Sequence, residues 1–273
     1  MVMPAGTLAL SPEFEKAKGD LQAARDTYSA LVEEYSCLVN IVGKNLEAEY
    51  MFKLGKKEHE LFSSQVEILR LKREIAIFQA ARNRGERIAA QEVQKIIEKE
   101  FREYLRQLEK QQNKLTQAES HFMAKKCTEE ETAKLKKLYR DIVRKLHPDL
   151  NPDLPAEALS LWERVQTAYR NNDWGELFLL SYMVEEFLGG KADYVENISA
   201  LEELQSELKR ISQRCADLQT KIAETRKRVP FSYEEILSDP MAVLKKRREL
   251  DRQITLCNEH ISELKELKEQ IQS

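Results

Sequence analysis

The chain has 273 residues, 33% of them charged and 7% aromatic, with only 8 Gly and 7 Pro. Gly and Pro usually make up roughly 12% of a globular chain, so turn residues are too scarce here for a sandwich, a barrel or a doubly wound sheet. The 44 basic and 47 acidic residues leave a formal charge of -3, which excludes a bulk electrostatic pull toward nucleic acid or an anionic membrane surface.

What remains is an all-α chain of long, charged helices with narrow apolar seams. No apolar stretch approaches the roughly 18 residues of a membrane span. The opening MVMPAGTLAL has no basic segment ahead of its brief apolar run, so no signal peptide is expected. Cys37, Cys127, Cys215 and Cys257 are scattered and form no CxxC pair. A reduced, cytoplasmic setting without metal or other cofactor is the expectation.

Residues 1–11 read as a tail, and 12–127 as a long helical hairpin or three-helix bundle. Ser11-Pro12 supplies an N-cap and a first helical residue. From there Phe14, Ala17, Leu21, Ala24, Tyr28, Leu31, Tyr35, Leu38 and Val42 alternate in heptad spacing, the mark of a coiled-coil helix. The pattern continues through Leu46, Leu54, Leu61, Ile68 and Ile75; whether the helix breaks at Gly43 or Gly55 is left open by the sequence. Asn83-Arg84-Gly85 is a Gly-type stop, and a returning helix carries Val93, Ile96, Ile97, Tyr104, Leu105, Leu108 and Leu115.

A different unit is expected over 128–188. Thr128 with Glu131 forms a capping box, and the helix it opens ends at His147-Pro148, since a residue before proline is pushed out of the α region. A Pro-flanked loop follows, then a helix over about 156–170, then another from the Asp173 cap to about Leu188. Residues 189–194, beginning Gly189-Gly190, read as a linker. The remainder, 195–273, reads as an antiparallel coiled-coil hairpin bent near Pro230 and Pro240. One register sets Ile222 against Leu250, Leu218 against Ile254, Cys215 against Cys257, Ile211 against Ile261 and Leu208 against Leu264, and a slip of one heptad would also place seam on seam. The two cysteines are then small core residues rather than a disulfide. The heptads pair either within one chain or between chains as a homodimer.

The stretch most specific in its chemistry is LKKLYRDIVRKLHPDLNP, Leu135 to Pro152. Leu135, Leu138, Ile142 and Leu146 share an apolar face, with Tyr139 alongside. Lys136, Lys137, Arg140, Arg144 and Lys145 lie largely elsewhere around the helix. A basic face is usually only solvated. Here it runs into His147-Pro148-Asp149, and Trp162, Val165, Ala168 and Tyr169 follow on the next helix. That combination resembles the J-domain of DnaJ-type co-chaperones, and the flanking arms resemble those of bacterial J-domain proteins with coiled coils.

The resemblance implies a protein that is not itself an enzyme but docks on a DnaK-type chaperone ATPase and stimulates ATP hydrolysis. It implies that His147, Pro148 and Asp149 trigger hydrolysis, Asp149 by accepting from an Arg of the partner. It further implies that Tyr139, Arg140, Lys136, Arg144 and Lys145 form the docking face, meeting an acidic groove. Leu135, Leu138, Ile142, Leu146, Trp162, Val165, Ala168 and Tyr169 would form the core of the unit. The arms would then serve an unnamed client. Three features depart from the family pattern: Asp141 in the basic helix, Leu150 after the motif, and no first helix in 113–127. Phe122 and Met123 are the expected substitutes for that helix. The alternative is a structural coiled-coil scaffold with an inactive J-like module.

Other residues read more plainly. His59, His121 and His260 belong to charged helix surfaces, and Trp174 is expected under the last helix of the 128–188 unit. Lys245-Lys246-Arg247-Arg248 is explained by interhelical ion pairs more simply than by nucleic-acid contact.

Overall fold

The computed structural model describes residues 12–123, 128–189, 195, 198 and 200–272. The expected tail, Cys127, the Met123 side chain and residues 190–194 of the expected linker lie outside that description. The chain is all-α, with no strand among the described residues. The helices are α1 (Pro12–Cys37), α2 (Gly43–Tyr50), α3 (Lys56–Asn83), α4 (Ala90–Glu100), α5 (Arg102–Met123), α6 (Glu129–Leu146), α7 (Ala156–Arg170), α8 (Trp174–Leu188), α9 (Leu201–Arg226), α10 (Tyr233–Ser238) and α11 (Pro240–Gln272).

Local chemistry explains most boundaries. Thr128 Oγ1 accepts from the Glu131 amide at 3.2 Å while the Glu131 carboxylate accepts from the Thr128 amide at 2.8 Å, the reciprocal cap that opens α6. Asp173 accepts from the Glu176 amide at 3.0 Å and opens α8. Asp239 does the same for Met241 at 2.8 Å, and Pro240 fills the first position of α11. After α3, Gly85 takes φ +70° and the amides of Gly85 and Glu86 close on Arg82 and Ala81, a Schellman stop. Asn172, at φ +57°, ends α7 in the same way.

The glycines left open by the sequence stay helical, with φ -60° at Gly43 and -58° at Gly55. Both permit close approach. A Cβ on Gly43 would lie 3.2 Å from the Phe231 ring, and one on Gly55 would lie 2.8 Å from Leu115 and from the Met51 sulfur. The backbone widens into π-turns at Leu38–Val42 and Met51–Gly55. A π-turn rotates the face that follows it, which is why Val42, on the expected seam, ends up exposed.

The chain divides into two compact units, Met1–Lys44 with Lys125–Phe231, and Asn45–Ala124 with Ser232–Ser273. In the first, α1 and α9 run parallel. The Cys215 thiol meets the Ala24 carbonyl at 3.8 Å and Arg226 pairs with Glu34 at 3.2 Å. Helices α6, α7 and α8 pack with this pair into one core, where Leu21, Val143, Leu146, Leu150, Val165, Leu177, Leu180, Leu204 and Ile211 are fully enclosed. In the second unit α3 and α11 are parallel, tied by Lys57 to Asp251 at 2.9 Å and by Lys268 to the buried Glu74. Helices α4 and α5 return antiparallel to α3, with Arg73 on Glu100 at 2.8 Å and Phe52 stacked on Phe122 at 4.3 Å.

This arrangement corrects the expected division into 12–127, 128–188 and 195–273. The seams of α9 and α11 do not meet as a hairpin. Leu208, Ile211, Cys215 and Leu218 pack in the core of α1. Ile254 is buried, and Ile261 and Leu264 cluster with Ile68, Leu71 and Ile75 of α3. Cys215 and Cys257 are therefore not core neighbours, and both are free thiols. A heptad face requires a partner but does not name one; here each C-terminal seam finds a segment of the N-terminal helices. Phe122 packs in the second unit, so it does not replace the missing first helix. That packing comes from α1, whose Phe14, Ala17, Leu21, Tyr28 and Val32 enter the core with α6 and α7. Trp174 is not buried but 43% exposed, in an open row with Phe178 and Tyr182. Lys245, Lys246, Arg247 and Arg248 make no ion pair among the described residues.

Candidate functional site: the loop between α6 and α7

Leu135, Leu138, Ile142 and Leu146 of α6 and Trp162, Val165, Ala168 and Tyr169 of α7 lie in the core of the first unit. Tyr139 stacks on Tyr169 at 3.9 Å between ring centroids, and His147 meets Trp162 at 5.2 Å, so α7 returns antiparallel to α6. Helix α6 stops because His147, before Pro148, adopts extended backbone at ψ 126°. The Leu150 and Asn151 amides then both donate to the His147 carbonyl at 3.0 Å, closing a tight turn with Pro148 exposed at its tip. Leu150 is fully buried. A basic residue there would lose that apolar contact, which is a physical reason for the departure seen in the sequence.

The His147 ring is wedged edge-on between Tyr28 and Trp162, each 5.2 Å away. Its Nδ1 accepts from the Asp149 amide at 3.1 Å, so the neutral ring carries its proton on Nε2. Burial lowers its pKa to about 4; the charge of nearby Arg214 also lowers it, while Asp149 acts in the opposite direction. The unfolded ring titrates near 6.5. Between these values the unfolded chain takes up a proton that the folded chain refuses. Stability is therefore full above pH 6.5 and falls as pH drops toward 4, by up to about 3 kcal/mol. Both tryptophans, Trp162 and Trp174, lie in this unit, so urea unfolding followed by Trp fluorescence reports on it. The wild-type advantage over His147→Gln is expected to shrink from pH 7.5 to pH 4.5. A constant difference would contradict neutral burial of His147.

Helix α1 covers much of the basic side of α6. Arg140 reaches the buried Glu33 at 3.0 Å, and Arg144 reaches Asp26 at 3.1 Å and Asp141 at 3.5 Å. Lys145 pairs with Glu185 of α8. Tyr139 is 2% exposed and shares a hydrogen bond with Ser36 at 3.2 Å. Half-buried Lys136 and exposed Lys137 make no ion pair among the described residues. Of the residues expected on a docking face, Tyr139 is thus a core residue, His147 is largely enclosed, and the two arginines are already paired.

The chain matches no family model, no curated protein and no solved structure. Among the described residues no cluster of His, Cys, Asp and Glu is placed to hold a metal ion, and no helix is long and apolar enough to cross a membrane. The second unit has an open groove of about 520 Å³ whose lining includes apolar Val66, Ile97, Phe101, Leu105 and Ile261 and polar Ser63, Ser64, Glu67 and Lys265. The α6–α7 loop remains the chemically specific site.

Sequence reasoning missed the groups that surround it. Tyr28 donates to Asp149 Oδ2 at 2.5 Å, Arg214 lies 3.7 Å from Oδ1, and Arg210 donates to the Asp149 carbonyl at 2.6 Å. Arg25, 3% exposed, donates to the Leu150 carbonyl and to Asn151 at 3.2 Å. On α1, Arg25, Ser29 and Glu33 form a buried polar stripe at four-residue spacing. In sequence such a stripe looks like a solvated face. The one available signal was charge complementarity, Asp26 and Glu33 on α1 against Arg144 and Arg140 on α6.

Proposed function

We propose that the chain is a J-domain-type co-chaperone, docking on a DnaK-type ATPase through the α6–α7 loop and stimulating its ATP hydrolysis. The observation that carries this is the turn itself. An exposed Pro148 stands between His147 and Asp149 at the end of a basic helix, and α7 braces that helix through Trp162 and Tyr169. A rigid, exposed tip loses little entropy on docking. Lys137 on the helix and Pro148 at the tip are exposed. The coiled-coil helices then serve as the adaptor surface for a client.

A second reading, a structural scaffold with an inactive module, is favoured by the covering of Arg140 and Arg144 by α1. Steady-state ATPase assays with a DnaK-type partner separate the two. Stimulation that disappears with His147→Gln is the expected result. Stimulation that persists in His147→Gln would refute the co-chaperone reading. So would its absence both in the wild type and in a chain freed of the Tyr28 and Arg214 contacts to the loop.

A further inference from the structure

Both carboxylate oxygens of Asp149 face groups from within the chain. Oδ2 accepts from the Tyr28 hydroxyl of α1 at 2.5 Å, and Oδ1 faces the Arg214 guanidinium of α9 at 3.7 Å. The Asp149 main chain is held as well, by Arg210 on its carbonyl at 2.6 Å and by His147 Nδ1 on its amide at 3.1 Å. One residue further on, the Leu150 carbonyl accepts from buried Arg25. Helix α1 therefore contributes Arg25 and Tyr28, and the parallel helix α9 contributes Arg210 and Arg214, all directed at Asp149 and Leu150. Nearby, Asp26 and Glu33 of α1 neutralise Arg144 and Arg140 of α6.

The chemistry of this contact decides its consequence. A carboxylate recognised by a partner's guanidinium must be free to accept from it, and a basic helix face entering an acidic groove must be free of acidic neighbours. In this chain an internal guanidinium occupies the first place and internal carboxylates the second. From this we infer that the α1–α9 pair is an autoinhibitory clasp on the loop, and that its release exposes Asp149 to a DnaK-type partner. This rests on the co-chaperone reading and adds its regulation. The contacts are polar and partly exposed: the Asp149 side chain is 28% and that of Arg214 53% accessible. Opening here means that the Asp149 side chain leaves Tyr28 and Arg214 while Tyr28, Arg25 and Leu150 stay buried, and the closed population lowers apparent affinity by the fraction of molecules that are closed.

The test uses the full chain carrying Tyr28→Phe together with Arg214→Gln. Phenylalanine keeps the ring against His147, and Arg214 is exposed, so the fold is retained. Arg226→Gln is the control, because it removes a cation from α9 that pairs with Glu34 of α1, away from the loop. Two quantities are measured: amide hydrogen exchange of residues 147–151, and the chain concentration giving half-maximal ATPase stimulation. The double variant is expected to exchange faster in the loop and to reach half-stimulation at a roughly tenfold lower concentration, with the control unchanged. Unchanged loop exchange would overturn the clasp. Faster exchange with an unchanged half-stimulation concentration, in a chain that still stimulates, would overturn the inhibition while leaving the co-chaperone reading intact. No stimulation by the wild type or the double variant would refute the co-chaperone reading itself.

Discussion

Tyr139→Ala is expected to destabilise the first unit by about 3–5 kcal/mol, the range for emptying a buried aromatic site. Tyr139 is 2% exposed and lies between Tyr169 at 3.9 Å and Trp162 at 6.0 Å. Its hydroxyl meets Ser36 of α1, and burial raises its pKa to about 12. Removing the ring would open a void between α6 and α7 and leave two aromatic faces without a neighbour. Tyr139→Phe keeps the ring and loses one neutral hydrogen bond, for a cost of about 1 kcal/mol. Urea unfolding monitored by Trp fluorescence checks both values. A loss below about 1 kcal/mol for the alanine variant would mean that Tyr139 is not in the core. The distinction bears on function, because loss of ATPase stimulation in Tyr139→Ala would report unfolding. Tyr139→Phe, folded and lacking the hydroxyl, is the variant that asks whether the side chain takes part in docking.

The burial of Tyr139 also shows where sequence reasoning reached its limit. The Thr128 and Asp173 caps, the stop at His147-Pro148 and the Gly85 turn are written within a few residues of the bonds they make, and each was legible. The seams of α1, α9 and α11 were legible as surfaces needing burial. Their partners were not, because heptads of similar composition fit several neighbours and α1 meets α9 across most of the chain. The same non-local pairing hid the environment of the site. Lys and Arg on α6 read as a face awaiting a partner, and nothing near them in sequence announced that Asp26 and Glu33 would cover part of it. Arg25, Ser29 and Glu33 carried the pattern of a wet helix face and became a buried polar interface. The motif itself was visible; that Tyr28, Arg210 and Arg214 surround Asp149 follows only from the packing of two distant helices.

The Arg140–Glu33 pair should respond asymmetrically to mutation. The side chain of Glu33 is 7% exposed and that of Arg140 is 40% exposed, with Arg140 donating to Glu33 Oε2 at 3.0 Å. Glu33 Oε1 is buried without a hydrogen-bond partner among the described residues. Arg140→Ala therefore leaves an enclosed carboxylate with neither charge partner nor donor. The expected loss is about 2–4 kcal/mol, reduced from the usual range for a buried pair because Arg140 is part-exposed. Glu33→Gln removes the charge from the enclosed side and leaves an arginine that can turn to water, so its expected cost is about 1 kcal/mol. Replacing both residues together, as Arg140→Met with Glu33→Leu, removes the desolvation burden with the pair and is expected to be near neutral. Urea unfolding of the three variants, read by Trp fluorescence, gives all three values, and equal costs for the two single variants would refute the asymmetry. The double variant also isolates Arg140 as a docking group. It keeps the fold while removing the cation, so reduced ATPase stimulation in that chain can be attributed to the lost charge rather than to a stranded carboxylate in the core.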